Sequence, residues 1–304
     1  MAKARPLRPR PLTLRLLTAL AHAHNLLGGF SMANEFPQVM TIGGTDSDGS
    51  AGVQADLHSF FMRGVYGATV LTAAVAGNSY GIQDSMVMPL PFIDAQFKSL
   101  AADLKIRAAK TGMLADRALV QDIIKNWQQY DFGALVVDPV IITKHGAMLL
   151  EQDAYDAVKN DLIPLATVVT PNHYEAEHLT GMKLDTDASI EAAAHQLQDS
   201  GAKNVVLKGA HDNPEQKEVR DFVLLESGKT FWLSEPYHNT DRVNGTGDTL
   251  SAVITAEIGK GNTIEDAIRI AKRFTNQAIG HPIAVGHQYG PINHWANQIV
   301  YPQN

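Results

Sequence analysis

From residue 32 onwards, short apolar runs alternate with amphipathic stretches, and this alternation restricts the fold more than any other feature of the chain. Several runs are apolar throughout, which is typical of strands buried on both faces. The helix-like stretches between them are about ten to fifteen residues long. The pattern predicts an α/β domain with three layers and a mostly parallel sheet. The predicted strands are VMTIGG (39–44), ATVLTAAVA (68–76), AAKTGML (108–114), ALVVDPV (134–140), ATVVTPN (166–172) and NVVLKG (204–209).

One segment, DFVLLESGKTFWLSEP (221–236), departs from this pattern. Two strand-like runs flank Ser227-Gly228-Lys229, and glycine in a short connection is typical of a hairpin. We therefore expect a β-hairpin beside the parallel strands. The sequence contains no internal repeat or long linker, so residues 32–304 are predicted to form a single domain.

Composition and charge argue against several classes of function. The chain is 45% hydrophobic and 19% charged, as soluble globular proteins are, and no apolar run reaches the ~18 residues of a membrane span. A formal net charge of −7 argues against nucleic-acid binding, because phosphate backbones attract basic surfaces. The absence of cysteine excludes disulfides, thiolate zinc sites and cysteine nucleophiles. These features favour a cytoplasmic protein that binds small molecules.

Residues 1–31 carry basic side chains and no acidic one. A secretory signal needs an uninterrupted apolar centre, but His22, His24 and Asn25 interrupt this one. A transit peptide is also basic, although it is usually richer in serine. We favour a third interpretation, in which residues 1–31 are a disordered or mis-assigned leader and Met32 starts the folded protein.

The segment VNGTGDTLSA (243–252) carries the clearest chemical signal. In an open α/β sheet, ligands bind where carboxyl ends of strands meet amino ends of helices. Gly245 and Gly247 let backbone N–H groups converge at a helix start, where the helix dipole favours a phosphate group. Asp248 could accept the proton of an attacking hydroxyl there. The alternative is an N-capped helix after a glycine turn, with Asp248 only offsetting the dipole.

Several other motifs accompany this one in a fixed order along the chain. They are IGGTDSDGSAGVQADLHSF (42–60), GVYGATVLTA (64–73), KTGML (110–114), VVDPVI (136–141), TPNHYEAEHLTG (170–181), VLKGAH (206–211), NGTGDTLSA (244–252) and GHQYGPINHW (286–295). The set resembles the hydroxymethylpyrimidine and phosphomethylpyrimidine kinases of the ribokinase-like superfamily, and a pyridoxine and pyridoxal kinase subgroup shares much of it. The resemblance implies a ribokinase-like three-layer α/β/α fold, ATP and Mg²⁺, phosphoryl transfer to a hydroxymethyl group on a heteroaromatic ring, and a homodimer.

The resemblance also implies roles for particular residues. Asp248 matches the catalytic base of the superfamily, although thiamin-pathway kinases often have cysteine there. The anion hole would be formed by Gly245, Thr246 and Gly247. The ATP and magnesium site would comprise Asp138, Asn172, Glu175 and Lys208, with Glu175 an indirect metal ligand; the alternative interpretation of Lys208 is a solvated lysine at a strand end. The substrate ring would be surrounded by Gly44, Ala51, Asp56, Gly77, Met113 and Val140.

The segment TAAVAGNSYG (72–81) departs from the pattern TALTAQNT of thiamin-pathway kinases, whose glutamine contacts the aminopyrimidine. Gly77 stands at that position and supplies only backbone groups. We favour hydroxymethylpyrimidine and its monophosphate as substrates, with pyridoxine or pyridoxal as the alternative. The intact Gly245, Gly247 and Asp248 argue against a non-catalytic ligand-binding homologue. The TDSDGSAGVQADL opening argues against a sugar kinase, because sugar kinases lack it.

Overall fold

The computed structural model describes residues 36–141, 150–210 and 213–297. Within these ranges the strands are β1 (Gln38–Gly44), β2 (Tyr66–Asn78), β3 (Gly81–Val87), β4 (Ile106–Thr111), β5 (Ala134–Val137), β6 (Val168–Val169), β7 (Asn204–Leu207), β8 (Glu218–Leu224) and β9 (Thr230–Pro236). They form one sheet in the order β3-β2-β1-β4-β5-β6-β7-β8-β9. Adjacent strands from β2 through β7 are parallel, whereas β3, β8 and β9 pair antiparallel with their neighbours.

The sheet confirms the predicted α/β class and the predicted hairpin. Strands β8 and β9 pair from Glu218–Pro236 to Leu224–Thr230. Gly228 has a φ of 80°, which is left-handed backbone that glycine adopts without strain. The turn of the hairpin therefore lies where the glycine signal placed it.

Helices cover both faces of the sheet. They are α1 (Gly52–Met62), α2 (Leu90–Ala101), α3 (Arg117–Gln129), α4 (Gln152–Ala157), α5 (His173–Thr180), α6 (Asp187–Asp199), α7 (Thr246–Gly259) and α8 (Ile264–Gly280). Leu135 and Val137 of β5 pack into a core with α2 to α6, whereas Val136 packs into a second core with α7 and α8. The side chains of successive residues of β5 thus pack into opposite cores, which explains why the strand is apolar throughout.

Several predicted strands end earlier than their apolar composition indicated. The strands predicted at 108–114, 134–140 and 166–172 end at Thr111, Val137 and Val169. Val140 has a φ of 47°, a left-handed conformation that cannot continue a strand. The apolar residues after these strand ends are buried or half-buried, but their backbone has left the strand.

Strand β3 was not among the predicted strands. All of its residues are exposed, and it pairs only with β2 at the edge of the sheet. In the described part of the chain, no helix is long and apolar enough to cross a bilayer. The prediction for residues 1–31 lies outside the described residues.

Candidate active site

The glycine turn before α7 places Asp248 at the carboxyl edge of the parallel strands. Gly245 has a φ of 79°, and a Cβ there would lie 2.1 Å from the Ser50 carbonyl oxygen. Only glycine therefore allows this turn to contact the loop before α1. Asp248 lies in the first turn of α7, and its Oδ2 accepts a hydrogen bond of 3.2 Å from the Gly52 N–H. The amino ends of α1 and α7 consequently meet at one carboxylate, where both helix dipoles favour negative charge.

A buried lysine lies behind Asp248. The Lys110 ammonium is 3.3 Å from Asp248 Oδ1 and 2.6 Å from Asp56 Oδ1. Thr41 donates a hydrogen bond of 2.5 Å to the other oxygen of Asp56. Both oxygens of Asp56 are thus held by protein groups, and this side chain is buried. The predicted contact between Asp56 and the substrate ring stays a prediction.

The charges of this cluster shift two pKa values. Burial raises the pKa of Asp56 to about 7, and the negative charge of Asp248 acts in the same direction against the opposing effect of Lys110. Burial lowers the pKa of Lys110, but the carboxylates of Asp56, Asp248 and Asp138 outweigh it and raise that pKa above its ordinary value. Lys110 is therefore an ammonium ion throughout the physiological range.

A second ion pair lies beside the glycine turn. Lys208, directly after β7, approaches Asp138 Oδ1 to 3.1 Å, and its side chain is only 13% exposed. A Cβ on Gly247 would lie 3.3 Å from Asp138 Oδ2 and 3.5 Å from the Lys208 ammonium. Lys208 is therefore not the solvated lysine of the alternative interpretation. The predicted anion turn, Asp138 and Lys208 are neighbours in space.

Asn172 and Glu175 form a capping box at the start of α5. Glu175 Oε2 accepts a hydrogen bond from the Asn172 N–H, and Oε1 accepts one of 2.9 Å from the Ile141 N–H. Burial raises the pKa of Glu175, against the opposing effect of Lys208. Glu175 thus ties the loop after β5 to α5, and this contact orients the segment that contains Asp138.

The predicted substrate residues lie in two groups. A Cβ on Gly44 would be 3.2 Å from Met113 Cε, so these two residues are in contact, and the Ala51 N–H donates to Asp46 Oδ2. Gly77 lies farther along β2, where the Ser47 hydroxyl bonds both its N–H and its carbonyl oxygen.

A side chain at position 77 would begin beside an acidic loop residue. A Cβ on Gly77 would be 3.7 Å from Asp46 Oδ1 and 3.4 Å from the Gly81 carbonyl oxygen. The position is therefore open to a larger residue in ordinary van der Waals contact. Val140 follows β5 in a left-handed conformation.

Sequence reasoning missed Lys110, Thr41 and Asp46. Lys110 carried a usable signal, because a lysine inside the apolar run AAKTGML must be paired if that run is buried. Thr41 carried no comparable signal, since its role comes from a contact with Asp56 on α1. Asp46 bonds Ser50 and Ala51 in its own loop, and its acidic side chain alone did not indicate this.

A carboxylate at a glycine-rich helix start, with a lysine at the neighbouring strand end, is an arrangement that suits phosphoryl transfer. A family model described as Phosphomethylpyrimidine kinase matches residues 46–293, and the chain belongs to this family. The chain is therefore a kinase, and the family resemblance noted in the sequence is confirmed.

Curated relatives and solved structures agree with this assignment. The hydroxymethylpyrimidine/phosphomethylpyrimidine kinase of Haemophilus influenzae is 46% identical over 260 residues, covering 85% of this chain and 97% of the relative. The enzyme of the same name from Bacillus subtilis is 37% identical over 260 residues, covering 85% of this chain and 95% of the relative.

Among solved structures, a Staphylococcus aureus pyridoxal kinase in complex with AMP-PCP and pyridoxal superposes with a TM-score of 0.79 at 29% identity, covering 88% of this chain and 96% of that one. A phosphomethylpyrimidine kinase from Clostridium difficile superposes with a TM-score of 0.70 at 34% identity, covering 80% of this chain and 99% of that one. The predicted three-layer α/β/α fold of the ribokinase-like kinases is thereby confirmed.

Proposed function

We propose that this enzyme transfers the γ-phosphoryl group of ATP to the hydroxymethyl group of hydroxymethylpyrimidine, and then phosphorylates the resulting monophosphate. The observation that carries the proposal is the 46% identity to a relative bearing both activities in its name, over nearly all of that relative. The pyridoxal kinases among the structural neighbours are less similar, at 28–33% identity.

In the proposed mechanism, Asp248 acts as general base. Its carboxylate accepts the proton of the substrate hydroxyl as that oxygen attacks the γ-phosphorus, and the bond to the β,γ-bridging oxygen breaks, releasing ADP with the bonding electron pair. The side chain of Asp248 is 20% exposed, so it is accessible to a substrate. The amides from Gly245 to Gly247 would stabilise the transferring phosphoryl group.

Lys208 and Asp138 would bind on the nucleotide side of the same turn. The Lys208 ammonium would contact phosphate oxygens, and Asp138 would hold that ammonium in place. Mg²⁺ uses one or two carboxylates together with water and phosphate oxygens, so Asp138 fits a ligand role and Glu175 an indirect one. When bound, Mg²⁺ would neutralise charge on the phosphates.

Pyridoxal phosphorylation is the second candidate function, and Gly77 is the observation that favours it. Without a side chain at this position, the space beside Asp46 is open to a larger ring. The Gly81 carbonyl oxygen and the Asp46 carboxylate would then be the polar groups nearest to that space.

A coupled assay of ADP release tests the substrate assignment. Hydroxymethylpyrimidine, its monophosphate, pyridoxine and pyridoxal are compared by kcat/KM at equal enzyme concentration. The proposal expects the highest values for the two pyrimidines. A higher value for pyridoxal would replace the first candidate with the second, and no transfer to any of the four would favour a non-catalytic homologue.

We also propose a cytoplasmic homodimer that pairs along the exposed edge strand β3. Ile82 and Met86 are 69% and 64% exposed, and their even spacing places them on one face of the strand. An exposed edge strand presents unpaired backbone groups together with this apolar surface, which suits pairing with a second copy.

A further inference from the structure

We infer that Lys110 is a positioning residue, which holds the Asp248 carboxylate ionised and correctly oriented from behind the substrate pocket. The inference rests on the proposed role of Asp248 as general base. It concerns a buried charged group to which neither the family resemblance nor the motif analysis assigned a role.

The strand register explains how Lys110 reaches its partners. Lys110 on β4 is the parallel partner of Thr41 on β1, and both side chains contact Asp56 on α1. Asp56 therefore receives a hydrogen bond from Thr41 at one oxygen and the ammonium of Lys110 at the other. This arrangement anchors the lysine between the sheet and the helix layer that contains α1 and α7.

Burial distinguishes a positioning role from direct catalysis. The side chain of Lys110 is 0% exposed, whereas that of Asp248 is 20% exposed. Lys110 contacts Asp248 from the protein interior, and the substrate hydroxyl would approach from the accessible side. With the Gly52 N–H on Oδ2 and Lys110 on Oδ1, the orientation of the carboxylate is determined at both oxygens.

The charge balance gives Lys110 its second effect. Asp56 and Asp248 are two carboxylates on either side of one ammonium, with the Asp138–Lys208 pair as the next charged groups. Without the ammonium, two neighbouring carboxylates in a largely buried site would repel each other and share a proton. A protonated Asp248 cannot accept the substrate proton, so removal of Lys110 would weaken the base at neutral pH.

The test compares Lys110→Met with the double variant Lys110→Met/Asp56→Asn. In Lys110→Met we expect kcat at pH 7 to fall about 10²-fold, because both the charge and the orientation of the base are lost. The acidic limb of the kcat–pH profile is expected to move to higher pH by about one unit, and raising the pH should restore part of the rate. The KM for ATP should change less than about twofold, since Lys110 does not reach the pocket.

The double variant separates this role from folding. It removes both members of the buried pair, so it avoids an unpaired buried charge. We expect it to fold, as judged by circular dichroism and thermal unfolding. Its kcat should stay well below wild type, because Asp248 still lacks the lysine that orients it, although the competing carboxylate of Asp56 is gone. Lys203→Met is the matched control, because Lys203 is exposed and remote from the site; it should behave as wild type.

The single variant Asp56→Asn keeps Lys110 and needs no large repacking. It removes the carboxylate that competes with Asp248, so the acidic limb should move to lower pH. An unchanged kcat–pH profile in Asp56→Asn, or a folded double variant with wild-type kcat and profile, would overturn the inference. Asp248→Asn is measured in parallel. If Asp248→Asn stays active, the assignment of Asp248 as the base fails. If Asp248→Asn is inactive while the double variant has wild-type kcat and profile, only the proposed role of Lys110 is rejected.

Discussion

At the scale of single residues, the proposed mechanism depends on how the Asp248 carboxylate is placed. Its carboxylate has a backbone donor on one oxygen and an ammonium on the other, and one side remains accessible. The carboxylate is therefore oriented before a substrate arrives, which in the proposed mechanism would reduce the reorganisation needed for proton transfer.

We predict that Asp248→Asn lowers kcat by about 10²- to 10⁴-fold, because an amide of the same shape cannot accept the proton. Nucleotide affinity and the thermal unfolding temperature should stay close to wild type. Steady-state assays and calorimetric titration with ATP measure these quantities, and Asp103→Asn is the exposed control. A variant that keeps more than half of wild-type turnover would eliminate Asp248 as the base.

We predict that Gly77→Gln raises kcat/KM for hydroxymethylpyrimidine relative to pyridoxal. A Cβ fits at this position, and a glutamine amide supplies both a donor and an acceptor to an aminopyrimidine edge. One hydrogen bond contributes about 0.5–1.5 kcal/mol, so the ratio of specificity constants should rise several-fold. Gly77→Ala adds volume without the amide and serves as control. If the ratio is unchanged, residue 77 does not face the ring.

At the scale of secondary-structure elements, a buried histidine connects α7 to the 3-10 helix His294–Asn297. The Nε2 atom of His294 lies 2.9 Å from the hydroxyl of Thr249, the residue after Asp248. Burial and the charge of His58 lower the pKa of His294 to about 4. Protonation of this histidine would therefore disturb the support of the helix that carries the active site.

This shift predicts a pH dependence of stability. Between pH 6.5 and 4 the unfolded chain binds a proton at His294 that the folded protein does not, so the free energy of unfolding falls as the pH falls. The contribution is about 2 kcal/mol between pH 7 and pH 5. Urea unfolding of wild type and His294→Gln at both pH values measures it. The prediction is wrong if His294→Gln, which has no titratable group at position 294, shows the same decrease in the free energy of unfolding from pH 7 to pH 5 as wild type.

At the scale of the whole molecule, the edge of the sheet determines assembly in the proposed dimer. We predict that Ile82→Lys/Met86→Lys converts a two-chain species into single chains, because two positive charges on one strand face prevent pairing with an identical strand. Light scattering after size-exclusion chromatography measures the mass. Phe61→Lys, an exposed apolar position on α1, is the control and should leave the mass unchanged. A wild-type protein that is already a single chain would contradict the proposal.

Much of the architecture was predictable from local patterns. Runs apolar at every position predicted buried strands, and Ser227-Gly228-Lys229 predicted the hairpin turn, because both are properties of a few consecutive residues. The glycine turn before Asp248 was visible for the same reason. Strand ends were less predictable, as at Val140, because residues beyond a strand are also buried at the edge of this sheet.

The partners of Asp248 became visible only in the folded chain. Lys110 precedes it by 138 residues and Gly52 by 196, and neither spacing follows from any periodicity. Side-chain periodicity tells which residues share a face of a strand, but it does not tell which strands are neighbours. The placement of β1 beside β4, with α1 packed over β1 and α7 over both strands, brings Thr41, Asp56, Lys110 and Asp248 together. Their mutual charges, and hence their protonation states, follow from that packing.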